Sequence, residues 1–174
     1  DLSEFGKLGF KNISNHTILI DLKQSEDELW KKLDKGSIRW GVNYAKKNGL
    51  TFEIATKSDL DRFYEMYEKT TKEGKFSGEK KEFIELLRET NISKMFIVKK
   101  DKEIVAGGLI LIDKSNKYSI LDLTSASEEG MKMQAMPFLY WNIILYSKKL
   151  GLEYFDLGGY DNKAKKGEKT YNIN

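Results

Sequence analysis

The chain has 174 residues, 30 Lys and Arg against 27 Asp and Glu, a formal charge of +3 and no cysteine. That length supports one domain with a real core, and so mild a charge gives no ground by itself for nucleic-acid binding. Without cysteine, disulfides, thiolate nucleophiles and cysteine-based zinc sites are excluded. The one histidine, His16, has no partner set, and no Gly-x-Ser-x-Gly elbow is present. A Ser-His-Asp relay is therefore not expected, and His16 is read as structural. No stretch approaches the ~20 apolar residues of a membrane span, and residues 1–9 carry no signal pattern. The chain is expected to be soluble and cytoplasmic.

Residues 17–22 read as a strand of β-branched and apolar residues. Ser25 with Glu28 three positions on forms a capping box, opening a helix with Leu29, Trp30 and Leu33 on one face. Gly36 is expected to end it, and Ser37 to cap a second helix running to Asn48, closed by Gly49. Residues 50–55 alternate as a strand. Ser58 is the expected cap of a long helix carrying Leu60, Phe63, Tyr64 and Tyr67. After a loop from Glu73 to Gly78, another helix should turn Phe83, Leu86 and Leu87 inward. Strands at 94–100, 103–112 and 117–124, joined by turns at 100–102 and 114–116, make an antiparallel meander. A polar loop, 125–134, leads to a helix from about Pro137 to Leu150, ended by Gly151. Its stripe Phe138, Trp141, Leu145 has helical spacing and reads as core. Residues 152–157 form a last strand, ended by Gly158-Gly159. This order predicts an α/β (α+β) fold, a mixed, largely antiparallel sheet with helices on both faces. By analogy, the meander–helix–strand tail is that of a GNAT-like acyltransferase fold, which leaves the chemistry open.

Two segments carry a closer resemblance. One runs from Ile18 through Ile38-Arg39-Trp40-Gly41-Val42-Asn43-Tyr44-Ala45-Lys46-Lys47-Asn48-Gly49. The other runs from Met136-Pro137-Phe138-Leu139-Tyr140-Trp141 to Tyr154-Phe155-Asp156-Leu157-Gly158-Gly159. Together they resemble the second GNAT-like domain of the Fem family of peptidoglycan-bridge aminoacyltransferases, over nearly the whole chain. The resemblance implies a lead-in segment, 1–16, from a preceding domain, a GNAT-like domain at 17–160, and a loop, 161–174, leading toward a C-terminal Phe-Lys motif. It implies transfer of an amino acid from the 3′ end of aminoacyl-tRNA to the stem peptide of a muramyl-peptide precursor. No cofactor or metal would be needed, and the membrane surface would be touched if the precursor is lipid-linked. Family members commonly carry an Arg before the helix bearing Trp141, and Lys132 is the nearest substitute here. With only one GNAT-like domain present, this chain alone is expected to fold but not to turn over.

Several residues admit two readings. Arg39 and Asn43, four apart, share a helix face that could grip a phosphate or carboxylate; a solvated helix with a basic last turn is the commoner reading. Asp156, inside an apolar strand, either accepts a proton from or orients the attacking amine, or is a structural carboxylate taking backbone N–H bonds. The structural reading is favoured for Asp122. Gly158 and Gly159 either end the strand or let substrate approach the backbone, with Tyr160 and Asp161 lining that opening. Asp156 and Asp161 are thus the catalytic candidates, and Arg39, Asn43, Lys132, Gly158, Gly159 and Tyr160 the substrate-binding ones. Loop 125–134 has only Gly130 and lacks a glycine-rich pyrophosphate cradle. That argues against acyl-CoA as donor. The rivals are a GNAT enzyme using acyl-CoA or acyl carrier protein, and a non-catalytic domain that binds a cell-wall precursor.

Overall fold

The computed structural model describes residues 16–74 and 78–160, with His16 and Tyr160 as backbone only. Strand β1 (His16–Asp21) leads into α1 (Glu26–Lys32), and the capping box holds: Ser25 N–H donates to Glu28 Oε2 at 2.8 Å and Glu28 N–H donates back to Ser25 Oγ at 3.2 Å. α1 ends at its C-cap, Leu33, ahead of Gly36. The next cap is Asp34 rather than Ser37. Its Oδ1 accepts from the Ser37 N–H and hydroxyl at 2.7 and 2.6 Å, and a π-helical turn (Lys35–Arg39) runs directly into α2 (Trp40–Lys47). A carboxylate is the stronger acceptor for free helix N–H groups. β2 (Leu50–Ile54) follows. Thr56, not Ser58, then caps a 3₁₀ turn (Lys57–Asp59) through a box with Asp59, ahead of α3 (Leu60–Gly74).

In α4 (Lys81–Glu89) the inward residue is Ile84, fully buried, with Leu87 partly buried against the core, while Phe83 and Leu86 are exposed. The helix is rotated from the expected face because Ile84 and Leu87, three apart, fit the gap beside α3. The meander is β3 (Ser93–Lys100), β4 (Glu103–Asp113) and β5 (Tyr118–Ala126). The region expected as a polar loop holds a short helix, α5 (Glu128–Lys132). Ser127 Oγ accepts from Gly130 N–H at 3.0 Å, with Glu128 and Glu129 in the first turn. α6 (Ala135–Lys149) starts two residues ahead of Pro137, and β6 (Tyr154–Tyr160) runs on through Gly158 and Gly159 instead of ending before them, because pairing with β1 resumes at Gly159 and Tyr160 past an irregularity at Gly158.

The strands form one sheet in the order β1-β6-β5-β4-β3-β2. Every pairing is antiparallel except β5–β6. One face carries α1, α2 and α6 over a core of Leu22, Val42, Phe96, Ile110, Leu139, Ile143 and Phe155. The other carries α3 and α4 over Phe63, Tyr67, Ile84, Met95, Ile97 and Leu109. Lys148, near the end of α6, donates to the carbonyls of Leu22 and Gln24 at 2.8 and 2.7 Å, tying that helix to the exit of β1.

Candidate active site

β5 and β6 run parallel but pair only from Tyr118–Tyr154 to Ile120–Asp156. Beyond that point β5 continues to Ala126 along β4 and β6 continues to Tyr160 along β1. Two strands that part while each keeps its outer neighbour leave a wedge in the sheet, with backbone groups turned toward it. A bulge lies at the same place. Leu109 opposes Leu123 and Ile110 opposes Leu121, so Asp122 is the extra residue on β5.

Asp156 sits at the apex. It is 5% exposed and accepts from the Thr17 hydroxyl of β1, the Tyr118 hydroxyl of β5 and the Gly158 N–H at 2.8 Å. The Thr17 oxygen also lies 2.7 Å from the Gly158 carbonyl, and its single proton serves one acceptor at a time. Burial pushes the Asp156 carboxyl up, but the Thr17, Tyr118 and Gly158 bonds outweigh it and hold the carboxyl below its ordinary range. Conversely, burial and then the bond and charge of Asp156 push the Tyr118 hydroxyl up to about 12, so it stays a donor. Asp156 is therefore a firmly ionised, three-fold bonded carboxylate. Thr17 and Tyr118 are hydrogen-bond partners of Asp156 that the sequence did not single out. The one signal for them is that a carboxylate within an apolar strand requires donors on its neighbouring strands.

Asp122 differs. The residue is exposed, yet the surrounding protein, and then the Glu79 carboxylate, raise its carboxyl above the ordinary range. On α6, burial raises the Tyr140 hydroxyl pKa and Thr124 of β5 offsets it in part.

Gly158 has φ +86°, and a Cβ there would stand 3.2 Å from the Leu121 carbonyl across the wedge; at Gly159 a Cβ would meet open space. Tyr160 pairs with His16 in backbone register. Asp161 lies outside the described residues. Arg39 is half-buried with its Nε shielded and without a partner among the described residues, and Asn43 is exposed one turn on. Their helix packs on the first turn of α6, where a Cβ on Gly41 would meet Gln134 Oε1 and Pro137 Cγ at 3.1 Å. Lys132 is exposed in the last turn of α5, two residues before the left-handed Gln134 that opens α6. The fold thus gathers Asp156, Gly158 and Gly159 at the wedge, and sets Arg39 and Asn43 on the neighbour of α6. Gly130 is used internally: a Cβ would stand 2.0 Å from the Val105 carbonyl, so the glycine seats α5 on β4. A groove of about 530 Å³ between α3 and the β5–α5 connection has five glutamates, Glu65, Glu73, Glu103, Glu128 and Glu129, on its wall against Arg62 and Lys69, which pair with Glu65, Glu73 and Glu128; the acidic balance disfavours anions. Among the described residues no group of three or more His, Asp or Glu is placed to hold a metal ion, and no helix is long and apolar enough to cross a membrane.

The family model of the acetyltransferase (GNAT) domain matches residues 35–166. The chain belongs to the GNAT family. Its fold is shared with FemX at a TM-score of 0.79 and 16% identity, covering 99% of this chain and 62% of that one. L-PGS from Bacillus licheniformis superposes at 0.68 and 16% identity, over 97% of this chain and 53% of that one. The C-terminal domain of a candidate lysylphosphatidylglycerol synthetase from Agrobacterium fabrum gives 0.66 and 20%, over 91% and 51%. No curated protein matches. The GNAT chain thus spans between half and two thirds of the length of these structures. Matches at this identity speak for the fold, and they bear out the mixed, helix-flanked sheet and the Fem-like architecture expected from the motifs.

Proposed function

We propose that this GNAT domain is the acyltransfer unit of an aminoacyltransferase, moving an amino acid from aminoacyl-tRNA to an amine of a peptidoglycan-precursor stem peptide. The observation that supports it most is the likeness to FemX over 99% of the chain, β1 included. The lysylphosphatidylglycerol synthetase relationship points to aminoacyl chemistry as well. Gly130 supports it from another side, since the one glycine of the β5–α6 connection is spent on packing and is not free to cradle a pyrophosphate.

The acceptor amine, once neutral, attacks the ester carbonyl. The C–N bond forms, the C–O bond to the ribose breaks, and the amine proton ends on the departing ribose oxygen. Within this reading Asp122, its carboxyl raised, takes up the amine proton as the C–N bond forms and passes it to the ribose oxygen as the C–O bond breaks. Asp156, already bonded three times, fixes β1, β5 and β6 around the reacting groups. Tyr160 and Asp161, next in sequence, are the further substrate contacts of this reading, and Gly158 and Gly159 leave the substrate room. Arg39 and Asn43, with Lys132, hold the anionic part of the precursor. Alignment supplies most of the acceleration. The reaction takes place on the cytoplasmic side, where charged tRNA is found.

The test supplies charged tRNA and a muramyl pentapeptide and follows product by mass spectrometry. Product from the complete protein, reduced ~10²–10⁴-fold by Asp122→Asn, supports the reading. Product from acetyl-CoA instead, with a concentration-dependent rise in Tm, would replace it. The description of the matching family as acetyltransferases favours that second reading, and a bound acyl-CoA at ~100 times its Kd would add about 2.7 kcal/mol.

A further inference from the structure

The outer face of α2 carries an aromatic pair that the core does not use. Trp40 is 51% exposed and Tyr44 38%. They stand one helical turn apart and stack with centroids 5.1 Å apart and planes at 27°. The other two tryptophans, Trp30 and Trp141, pack on each other at 5.0 Å against the main core. The inner face of α2 is anchored by buried Val42 and Ala45 and by the close approach of Gly41 to α6. The exposed pair is therefore presented by a fixed helix, and a partner would not have to order it.

Its surroundings are basic. From Lys35 to Phe52 there are four cations, Lys35, Arg39, Lys46 and Lys47, and no carboxylate. The flanking acids are engaged elsewhere: Asp34 by Ser37 at 2.7 and 2.6 Å, and Glu53 by Lys99 at 3.0 Å. The helix dipole accounts for Lys46 and Lys47 at the C-terminal turn. It gives no reason for two stacked rings in water beside them. Trp40 and Tyr44 are the exposed large hydrophobics of this helix, and with no exposed aliphatic chain beside them it offers no apolar face to bury in a bilayer. A flat π face beside phosphate-binding cations is the platform on which unpaired bases stack.

We infer that the outer face of α2 binds the single-stranded end of a nucleic acid, with a terminal base stacked on the Trp40–Tyr44 pair and the flanking phosphates met by Lys46 and Lys47. This deepens the proposed tRNA donor and rests on that reading for its biological ligand, but its test needs no turnover. The full chain is titrated with a single-stranded RNA hexanucleotide while tryptophan fluorescence is followed. Trp40 is the exposed reporter, and Trp40→Phe identifies its share of the signal. Quenching is expected. Trp40→Ala should weaken binding roughly 5- to 150-fold, the range for one base–aromatic stack. Lys46→Gln with Lys47→Gln should flatten the log–log salt slope by about 1.4, at 0.7 per phosphate contact on a single strand. Circular dichroism checks that each variant is folded. Absence of quenching at millimolar RNA, equal binding by Trp40→Ala, or quenching by phosphatidylglycerol vesicles but not by RNA would each overturn the site. If RNA fails to bind here while charged tRNA still donates, this surface is wrong and the donor reading stands. RNA binding without any transfer leaves the surface standing and removes the donor reading.

Discussion

The two halves of the sheet are held by different physics. In the β2–β3–β4 half, pairing is continuous and antiparallel, apart from one bulge beside Val98, and helices cover both faces. Phe96, Ile97 and Val98 are all fully buried, alternating between the two cores. In the β5–β6–β1 half, the parallel ladder covers three residue pairs, and a buried carboxylate with its hydroxyl donors stands where an apolar contact would otherwise be. The first half needs only hydrophobic burial. The second parts, and hydrogen bonds to Asp156 tie its strands where they diverge. Such polar ties cost much if half-broken and contribute little surplus stability when intact. The contrast places robustness on one side and, in the proposed reading, the site on the other.

The largest expected effect lies in the first half. Phe96 is fully buried and packs on Phe52 at 5.1 Å and Tyr146 at 4.8 Å. Phe96→Ala removes that volume and both ring contacts, and should cost about 3–5 kcal/mol in denaturant unfolding. If the wedge is a separate device, whatever variant remains folded should keep its ligand affinity. A loss of affinity larger than the loss of folded protein would blur the distinction between the halves.

A smaller effect with a particular pH signature is expected at Asp156. Asparagine keeps the shape but faces three donors with one acceptor oxygen, so Asp156→Asn should cost about 1–3 kcal/mol near neutral pH. The carboxyl is depressed in the folded state. Its contribution is therefore fully present above the unfolded value of about 3.9 and is lost as pH falls through the lower folded value. The gap between wild type and Asp156→Asn should be constant from neutral pH down to about 5, then narrow in the acid range. A gap that widened on acidification would mean that the three donors do not stabilise the anion.

Much of this contrast was legible in the sequence, but unevenly. Periodic apolar residues and caps located every strand and the long helices, because local preference and tertiary burial agree there. The box at Ser25–Glu28 and the positive-φ stops at Gly49 and Gly151 are local devices and were found as such. The errors came where tertiary contact decides. Residues 128–132 become a helix because Gly130 fits against the Val105 backbone, a neighbour far away in sequence. α4 turns Ile84 inward and leaves Leu86 in water because of what α3 leaves room for. For the site, Asp156 and the two glycines were visible as oddities within a strand. Thr17, 139 positions from Asp156, was not, since no local pattern announces which strands will be neighbours. The bulge at Asp122 was not legible either, because it exists only in the paired sheet.

The finest comparison is between two adjacent glycines at the wedge. Gly158 has φ +86°, and its Cβ position is 3.2 Å from the Leu121 carbonyl. Alanine there must adopt a backbone that L-residues avoid while pressing on a fixed oxygen, so Gly158→Ala should cost about 1–3 kcal/mol. Gly159 is free of both constraints: its φ lies outside the left-handed region and its Cβ position is open. Alanine there restricts the unfolded chain more than the folded one, so Gly159→Ala should be neutral to stabilising by about 0.4–1 kcal/mol. The glycine at 159 is thus unexplained by folding, and the proposed site gives it a reason, room for a substrate. Gly159→Val should leave the melting curve close to wild type while lowering affinity for the muramyl peptide, measured by calorimetry on the complete protein. If valine at 159 binds the precursor normally, Gly159 does not line the site, and the substrate approaches the wedge from the Asp122 side alone.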